Sequence, residues 1–242
     1  MLVMSARTYI AIAGNIGAGK STLVDFLCRT YGVQPFFEPG VENPNAATAN
    51  ENPYLKDFYG DMKAWGFQSQ VFFLTHKFRV HQELDKTAGL VVQDRSIYED
   101  AEVFATALHR SGKITDRDWQ TYSELYATIC DAIKPPDLMV YLKCSLKTTK
   151  QRIRLRGRAM EQAIPTSYLR LLQDAYDAWF VRWKSSEVLV IDTDRLDYIS
   201  DFVDRLDVLD RIERHLPTTR AVRETQALPP MHTRPGLAPS PS

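Results

Sequence analysis

The chain has 242 residues, with 30 Lys+Arg against 30 Asp+Glu and a formal net charge of zero. That balance leaves no global field to draw it toward nucleic acid or an anionic membrane, and no apolar run approaches bilayer-spanning length. Three cysteines (Cys28, Cys130, Cys144) without a CxxC pair argue against a disulfide framework and for a reducing, cytoplasmic setting, and the five histidines lack metal-ligand spacing.

Residues 1–8 read as a short N-terminal extension, too short for a signal peptide. The run from Tyr9 to Ala13 is almost unbroken apolar sequence, the signature of a parallel strand buried on both faces. Gly14-Asn15-Ile16-Gly17-Ala18-Gly19-Lys20-Ser21 follows, then Thr22 and a helical spacing of Leu23, Val24, Phe26 and Leu27 that stops at Tyr31-Gly32. Four residues between two glycines, then Lys-Ser, is the phosphate-loop pattern, and strand, glycine loop, helix is the context it needs. Glycines let backbone N–H groups curl around an anion at a helix N-terminus. Residues Gly14 to Thr22 are therefore the expected cradle for ATP, with Lys20 reaching the β- and γ-phosphates and the Ser21 hydroxyl holding Mg²⁺.

A second strand (33–37) ends in Phe36-Phe37-Glu38-Pro39-Gly40. Ligands in open α/β sheets lie beyond the carboxyl ends of strands, so Glu38 emerges on the same rim as the glycine loop. A long amphipathic helix is predicted from 56 to 84. On it Gln70 shares a face with Gly66, Phe67, Phe73 and Leu74, with Lys77 one turn further on. An amide among aromatics needs partners; a base edge, a backbone carbonyl or water would each satisfy it. The third strand (90–93) runs into Asp94-Arg95-Ser96, placing an acid suited to Mg²⁺ beside a planar donor suited to phosphate or carboxylate. Asp100 and Phe104, spaced i, i+4, offer an acceptor and a stacking surface near the same place.

Thr115 with Asp118 makes an N-cap pair for a helix carrying Trp119, Tyr122, Tyr126, Ile129 and Ile133 and ending at Pro135-Pro136. The fourth strand (138–142) leads to an arginine cluster, Arg152, Arg154, Arg156 and Arg158, with Arg152 and Arg156 on one helical face and Gly157 ending the helix. Such a run is a solvated face, a nucleic-acid patch or a lid that lowers arginines onto a phosphoryl group; the glycine loop favours the lid, at about 152–164. A helix (168–183) and a fifth strand (188–191) complete the pattern. The aromatic stripes on these helices read mostly as core. From Pro217 to Ser242 six of the thirteen prolines crowd into a segment poor in large apolar residues, a tail that is disordered by composition.

These readings give an α/β, P-loop NTPase-type three-layer fold: a five-stranded parallel sheet flanked by helices, plus an Arg-rich lid, over residues 9–216. The order of Gly-Asn-Ile-Gly-Ala-Gly-Lys-Ser, Glu38-Pro, Asn52-Pro-Tyr-Leu55, Asp94-Arg-Ser-Ile-Tyr-Glu-Asp100 and Arg156-Gly-Arg-Ala-Met-Glu161-Gln162 resembles the deoxyribonucleoside kinases, most of all the bacterial deoxyadenosine/deoxyguanosine branch. The likeness runs from about Tyr9 to Tyr198.

The resemblance implies ATP-dependent phosphorylation of the 5′-hydroxyl of a purine deoxynucleoside, purine salvage, a Mg²⁺ cofactor and a homodimer, with no nucleic-acid or membrane partner. It makes Glu38 the carboxylate that activates the hydroxyl, Arg95 the arginine beside it and Asp94 the acid serving Mg²⁺, sometimes described as the proton acceptor. Gln70, Lys77 and Asp100 fall where the base is read, and Leu55 and Phe104 where it is packed. Tyr59 and Glu161 match the pair at the sugar 3′-hydroxyl, Arg152, Arg156 and Arg158 the lid arginines, and the loop 192–198 the segment at the donor adenine. Lys77 stands where many relatives carry arginine, Gly40 replaces a frequent valine, and the connection from Glu38 to Asn52 is long. Two rival readings are a thymidylate kinase-like monophosphate kinase, disfavoured because Phe37 rather than arginine precedes Glu-Pro-Gly, and a non-catalytic nucleotide-binding regulatory module contacting RNA through the arginine run. Balanced charge and the lack of interleaved aromatics count against the second.

Overall fold

The computed structural model describes residues 7–33, 35–36, 52–162, 164–196 and 201–215. Glu38, Pro39, Gly40 and the tail from 217 to 242 lie outside the described residues, as do most of the N-terminal extension and residues 197–198 of the expected adenine loop.

Each expected strand forms. β1 (Thr8–Gly14), β2 (Pro35–Phe36), β3 (Leu90–Asp94), β4 (Leu138–Lys143) and β5 (Glu187–Asp192) pair in parallel in the spatial order β2-β3-β1-β4-β5. The chain runs from β1 to one side of the sheet for β2 and β3, then crosses to the other side for β4. The direction of winding reverses at β1, where an open α/β sheet leaves a crevice for a ligand. Register places Ile12 beside Asp94 and Gly14 beside Leu142, so the carboxyl ends of β1, β3 and β4 share that rim.

Period-two alternation divides the core into two layers. Tyr9, Ala11 and Ala13 of β1 face one side, with Leu74, Val103, Tyr176 and Trp179; Ile10 and Ile12 face the other, with Leu23, Leu27, Val208 and Ile212. The alanines leave room for the large rings on their side. The helices that cover these layers are α1 (Lys20–Tyr31), α2 (Leu55–Gly60), α3 (Met62–Lys86), α4 (Ile97–Glu99), α5 (Thr106–Arg110), α6 (Asp116–Asp131), α7 (Leu146–Arg156), α8 (Ala159–Gln162), α9 (Thr166–Arg182) and α10 (Phe202–Arg214), with a π-helical segment Asp100–Ala105 joining α4 to α5. None is long and apolar enough to cross a membrane among the described residues.

Three helix boundaries differ from the sequence expectation. The single helix over 56–84 is two, because Asp61 adopts an extended backbone and its carboxylate accepts from the N–H groups of Lys63 (2.9 Å) and Ala64 (3.1 Å), capping α3. Gly60 ends α2 just before it. Thr115 caps α6 as expected, accepting from Asp118 N at 3.2 Å, but the helix stops at Asp131, and Ile133 packs into the core beyond it. α9 begins at Thr166 rather than 168, directly after Pro165. β1 takes in Thr8, which the extension had been expected to hold.

Candidate active site

The donor side is built from backbone. Gly14 has φ 154°, and a Cβ there would lie 2.8 Å from Leu142 O; Gly17 has φ 80°, with Thr149 O and Ile153 Cγ1 each 3.1 Å from the same position. Only glycine fits this path. Asn15 locks the turn, its amide donating to Leu169 O (3.1 Å) and its Oδ1 accepting from Ile16 N (2.8 Å). Lys20 is 6% exposed, and its ammonium bridges Gly14 O (2.9 Å) and Asn15 O (3.2 Å) at the mouth of the loop. Gly19 precedes the first turn of α1, so loop N–H groups and the helix dipole face the same point. Thr22 is exposed on α1 and does not line the cavity described below.

Asp94 and Arg95 stand beside this loop because β3 is in register with β1. The Ser21 hydroxyl donates to Asp94 Oδ2 at 2.5 Å, while the buried Asp94 Oδ1 has no hydrogen-bond partner among the described residues. One hydroxyl and one carboxylate, with no cluster of three acidic or imidazole ligands among the described residues, is a donor set that suits Mg²⁺ completed by phosphate and water. Arg95 has φ 60°, the one non-glycine residue at positive φ among those described. Such a conformation costs about 1–3 kcal/mol and persists where surroundings hold it. Arg95 N donates to Ile12 O at 3.0 Å, and its guanidinium lies 4.1 Å from the centre of the Phe104 ring.

Lys77 corrects an expectation. It is 1% exposed and does not line the cavity. Its ammonium donates to the carbonyl oxygens of Asp94 (3.1 Å) and Arg95, so it braces the turn instead of facing a base. A lysine is a flexible point charge with three donors, and two converging carbonyls satisfy it where a planar guanidinium would not fit the same way.

Next to the loop opens a cavity lined by α1, α2, α3, the Asp94–Arg95 turn, the π segment, the residues from Arg156 to Glu161 and α9. Of the expected acceptor-side residues, Leu55, Tyr59, Gln70, Arg95, Asp100, Phe104 and Glu161 all reach it, together with Ile16, Gly17, Lys20, Ser21 and Asp94 from the donor side. Gln70 is 2% exposed and its Oε1 has no hydrogen-bond partner among the described residues. Leaving that amide oxygen unmet costs about 1–3 kcal/mol, a cost that a ligand donor would remove. This favours the ligand reading of Gln70 over the core reading. Phe104 does line the cavity, although one face of its ring is taken by Arg95. Asn52, on the loop before α2, holds that helix against α3 through Ser69 Oγ (3.0 Å).

The arginine cluster divides. Arg156 and Arg158 flank Gly157, which ends α7 in the left-handed region (φ 71°), and both donate to Glu161 Oε1, at 3.0 and 3.3 Å. The three line the cavity together. Arg152 does not: its guanidinium donates to Ala18 O (3.1 Å), Thr193 Oγ1 (3.0 Å) and Thr193 O (2.6 Å), clamping the phosphate loop to the end of β5. Spacing on a helix places Arg152 with Arg156, but the carbonyls of Ala18 and of Thr193, just after β5, hold it instead.

Four residues were missed as site residues. Phe58, Phe73 and Tyr168 line the cavity, and Phe58 and Tyr168 meet edge to face at 6.4 Å. They belong to aromatic stripes that look identical to core in sequence. Glu99, 0% exposed, lies beneath the loop; burial pushes its carboxyl above the usual range, against the pull of Arg95 and Lys20.

The family model for deoxynucleoside kinases matches residues 10–217. A Dictyostelium discoideum deoxyadenosine kinase is 40% identical over 169 residues, 70% of this chain and 65% of that one. A Bacillus subtilis deoxyadenosine/deoxycytidine kinase is 33% identical over 208 residues, covering 85% and 92%. Among solved structures, a deoxyadenosine kinase from M. mycoides with bound dATP superposes with a TM-score of 0.71 at 27% identity, over 83% of this chain and 98% of that chain. With a phosphate loop, an Asp-Arg turn and the cavity between them on one rim, the chain belongs to the deoxynucleoside kinase family.

Proposed function

We propose that the protein transfers the γ-phosphoryl group of ATP to the 5′-hydroxyl of a purine deoxynucleoside, deoxyadenosine or deoxyguanosine. The observation that carries this reading is the single cavity in which the phosphate loop, Asp94-Arg95 and the amide of Gln70 meet. The names of the relatives support a nucleoside acceptor over a monophosphate.

The loop N–H groups and Lys20 hold the triphosphate with its γ-phosphate toward the cavity. Ser21 and Asp94 are the residues that would hold Mg²⁺, which when bound neutralises charge on the β- and γ-oxygens. Glu38 takes the 5′-hydroxyl proton. It lies outside the described residues; the described part of β2 pairs Pro35 with Val92 and Phe36 with Gln93. Arg95 orients the attacking side, and Arg156 and Arg158, tethered by Glu161, meet the transferring group and exclude water. Tyr59 and Glu161 position the sugar, and Gln70 and Asp100 read the base. Arg152 acts on the donor indirectly, through the loop carbonyl of Ala18. A cytoplasmic, homodimeric enzyme of purine salvage completes the reading.

The test is a kcat/KM panel with ATP and Mg²⁺ over deoxyadenosine, deoxyguanosine, deoxycytidine and dTMP, with products identified as 5′-monophosphates. Preference for one of the purines supports the assignment. Preference for deoxycytidine overturns the purine assignment, and preference for dTMP overturns the nucleoside one.

A further inference from the structure

Glu99 occupies a place that a core carboxylate seldom holds without a task. It is fully buried, its Oε2 has no hydrogen-bond partner among the described residues, and an apolar side chain in its place would avoid the cost of desolvating a carboxylate. What it does have is two hydrogen-bond donors and, at ion-pair distance, a guanidinium converging on one oxygen. Gly14 N, where β1 turns into the phosphate loop, lies 3.2 Å from Oε1. The Tyr176 hydroxyl, from α9, donates to the same oxygen while also facing Gly14 O at 2.8 Å. Arg95 Nε approaches it at 3.6 Å. The backbone of Glu99 is fixed as well, its N–H directed at Ser96 Oγ at 3.4 Å in the first turn after β3.

These partners come from β1, the turn after β3 and α9. Gly14 belongs to the donor side. Arg95 belongs to the acceptor side and carries backbone strain that its neighbours must hold. We propose that Glu99 is a positioning residue whose Oε1 is the shared acceptor tying the start of the phosphate loop to Arg95, so that the donor and acceptor halves keep a fixed spacing. The inference rests on the proposed function, since it takes the loop and Arg95 as the two sides of a phosphoryl transfer. In-line transfer is sensitive to that spacing, because a displacement of about 1 Å can cost about 10²-fold in rate.

Glu99→Leu and Glu99→Gln in the full chain separate a shared acceptor from simple packing. Leucine fills the space without an acceptor, whereas the glutamine oxygen keeps both hydrogen-bond donors and still faces the Arg95 guanidinium. We measure kcat and the KM of ATP and of deoxyadenosine, with sites counted by ADP-binding stoichiometry. Glu99→Leu should lower kcat per site about 10-fold or more while each KM moves less than about threefold, and Glu99→Gln should stay within about threefold of wild type. A Leu variant with unchanged kcat per site overturns the proposal, and so does a Gln variant as impaired as the Leu variant. If Glu99→Leu does not fold, Tyr176→Phe removes one of the two hydrogen-bond donors, and its kcat should fall about threefold or more with both KM values held; an unchanged kcat overturns the bridge. Wild-type protein that phosphorylates no deoxynucleoside overturns the proposed reaction itself, an outcome distinct from active wild type with an unaffected Leu variant.

Discussion

The two halves of the cavity are built in opposite ways. The donor half is local: consecutive residues from Gly14 to Ser21, held in shape by glycine conformations and by backbone hydrogen bonds from Lys20 and Asn15. The acceptor half is assembled from side chains of α2, α3, the turn after β3, the π segment and α8, elements separated by more than a hundred residues of chain. A backbone cradle tolerates little substitution and binds a ligand part common to all nucleoside triphosphates. A side-chain cage can be retuned one residue at a time, which is where selectivity among bases belongs.

Substitutions at the meeting point should have the largest effect. General base assistance is worth about 10²–10⁴ in rate, so Glu38→Gln should lower kcat by that factor while ATP binding survives. Near-normal turnover in the variant would move the base role to Asp94. On the donor side alone, Lys20→Ala should raise the KM of ATP and lower kcat together, by about 10²-fold in kcat/KM, since it removes both a phosphate contact and the strut to Gly14 O and Asn15 O. Unchanged steady-state kinetics would remove the loop from the mechanism.

Within the acceptor half the expected losses are smaller and more selective. Gln70→Leu should cost about 1–3 kcal/mol in kcat/KM for the preferred nucleoside and compress the differences among bases, with the KM of ATP unaffected. Its Tm should hold or rise, because an unmet buried amide has been removed; a lower Tm with bases still discriminated would return Gln70 to the core. Lys77→Met tests the opposite assignment. It strips the donor from the Asp94 and Arg95 carbonyls, so stability should fall by about 1–3 kcal/mol and kcat should drop while the ranking of bases stays as it was. A changed ranking would make Lys77 a reader of the base.

This asymmetry also explains what could be read from the chain beforehand. The phosphate loop, the five strands and the Asp94-Arg95 turn follow from short windows, since apolar runs and glycine spacing act locally. Tyr59, Gln70, Asp100, Phe104 and Glu161 were legible as a set through motif order, and the geometry brings them around one cavity. Their roles remain those of the proposal. Lys77 and Arg152 were misdirected for one reason: a long cationic side chain can swing to either side of its helix, and the backbone carbonyls that captured them lie at the carboxyl ends of β3 and β5 or just beyond. The break at Asp61 was legible, since glycine followed by aspartate is a stop and a cap, but the aromatic periodicity across it masked the signal. Glu99 carried no signal at all, because an acid beside Asp100 reads as a solvated turn until β3 and α9 close over it.

The smallest effect concerns that residue's stability rather than its rate. Burial raises the Glu99 carboxyl above its ordinary value, with Arg95 and Lys20 opposing. Below the unfolded value, about 4.3, folded and unfolded chains both hold the proton and the group adds no slope. Above it the unfolded chain releases the proton while the folded chain retains it up to its raised value, so the wild type loses stability as pH rises through that window. Glutamine has no proton to lose. The Tm of Glu99→Gln relative to wild type should therefore climb, by about a few degrees, between pH 4 and pH 8. A difference that stays flat across the range would mean that Arg95 and Lys20 offset the burial in full, leaving Oε1 a charged acceptor at the pH where the enzyme works.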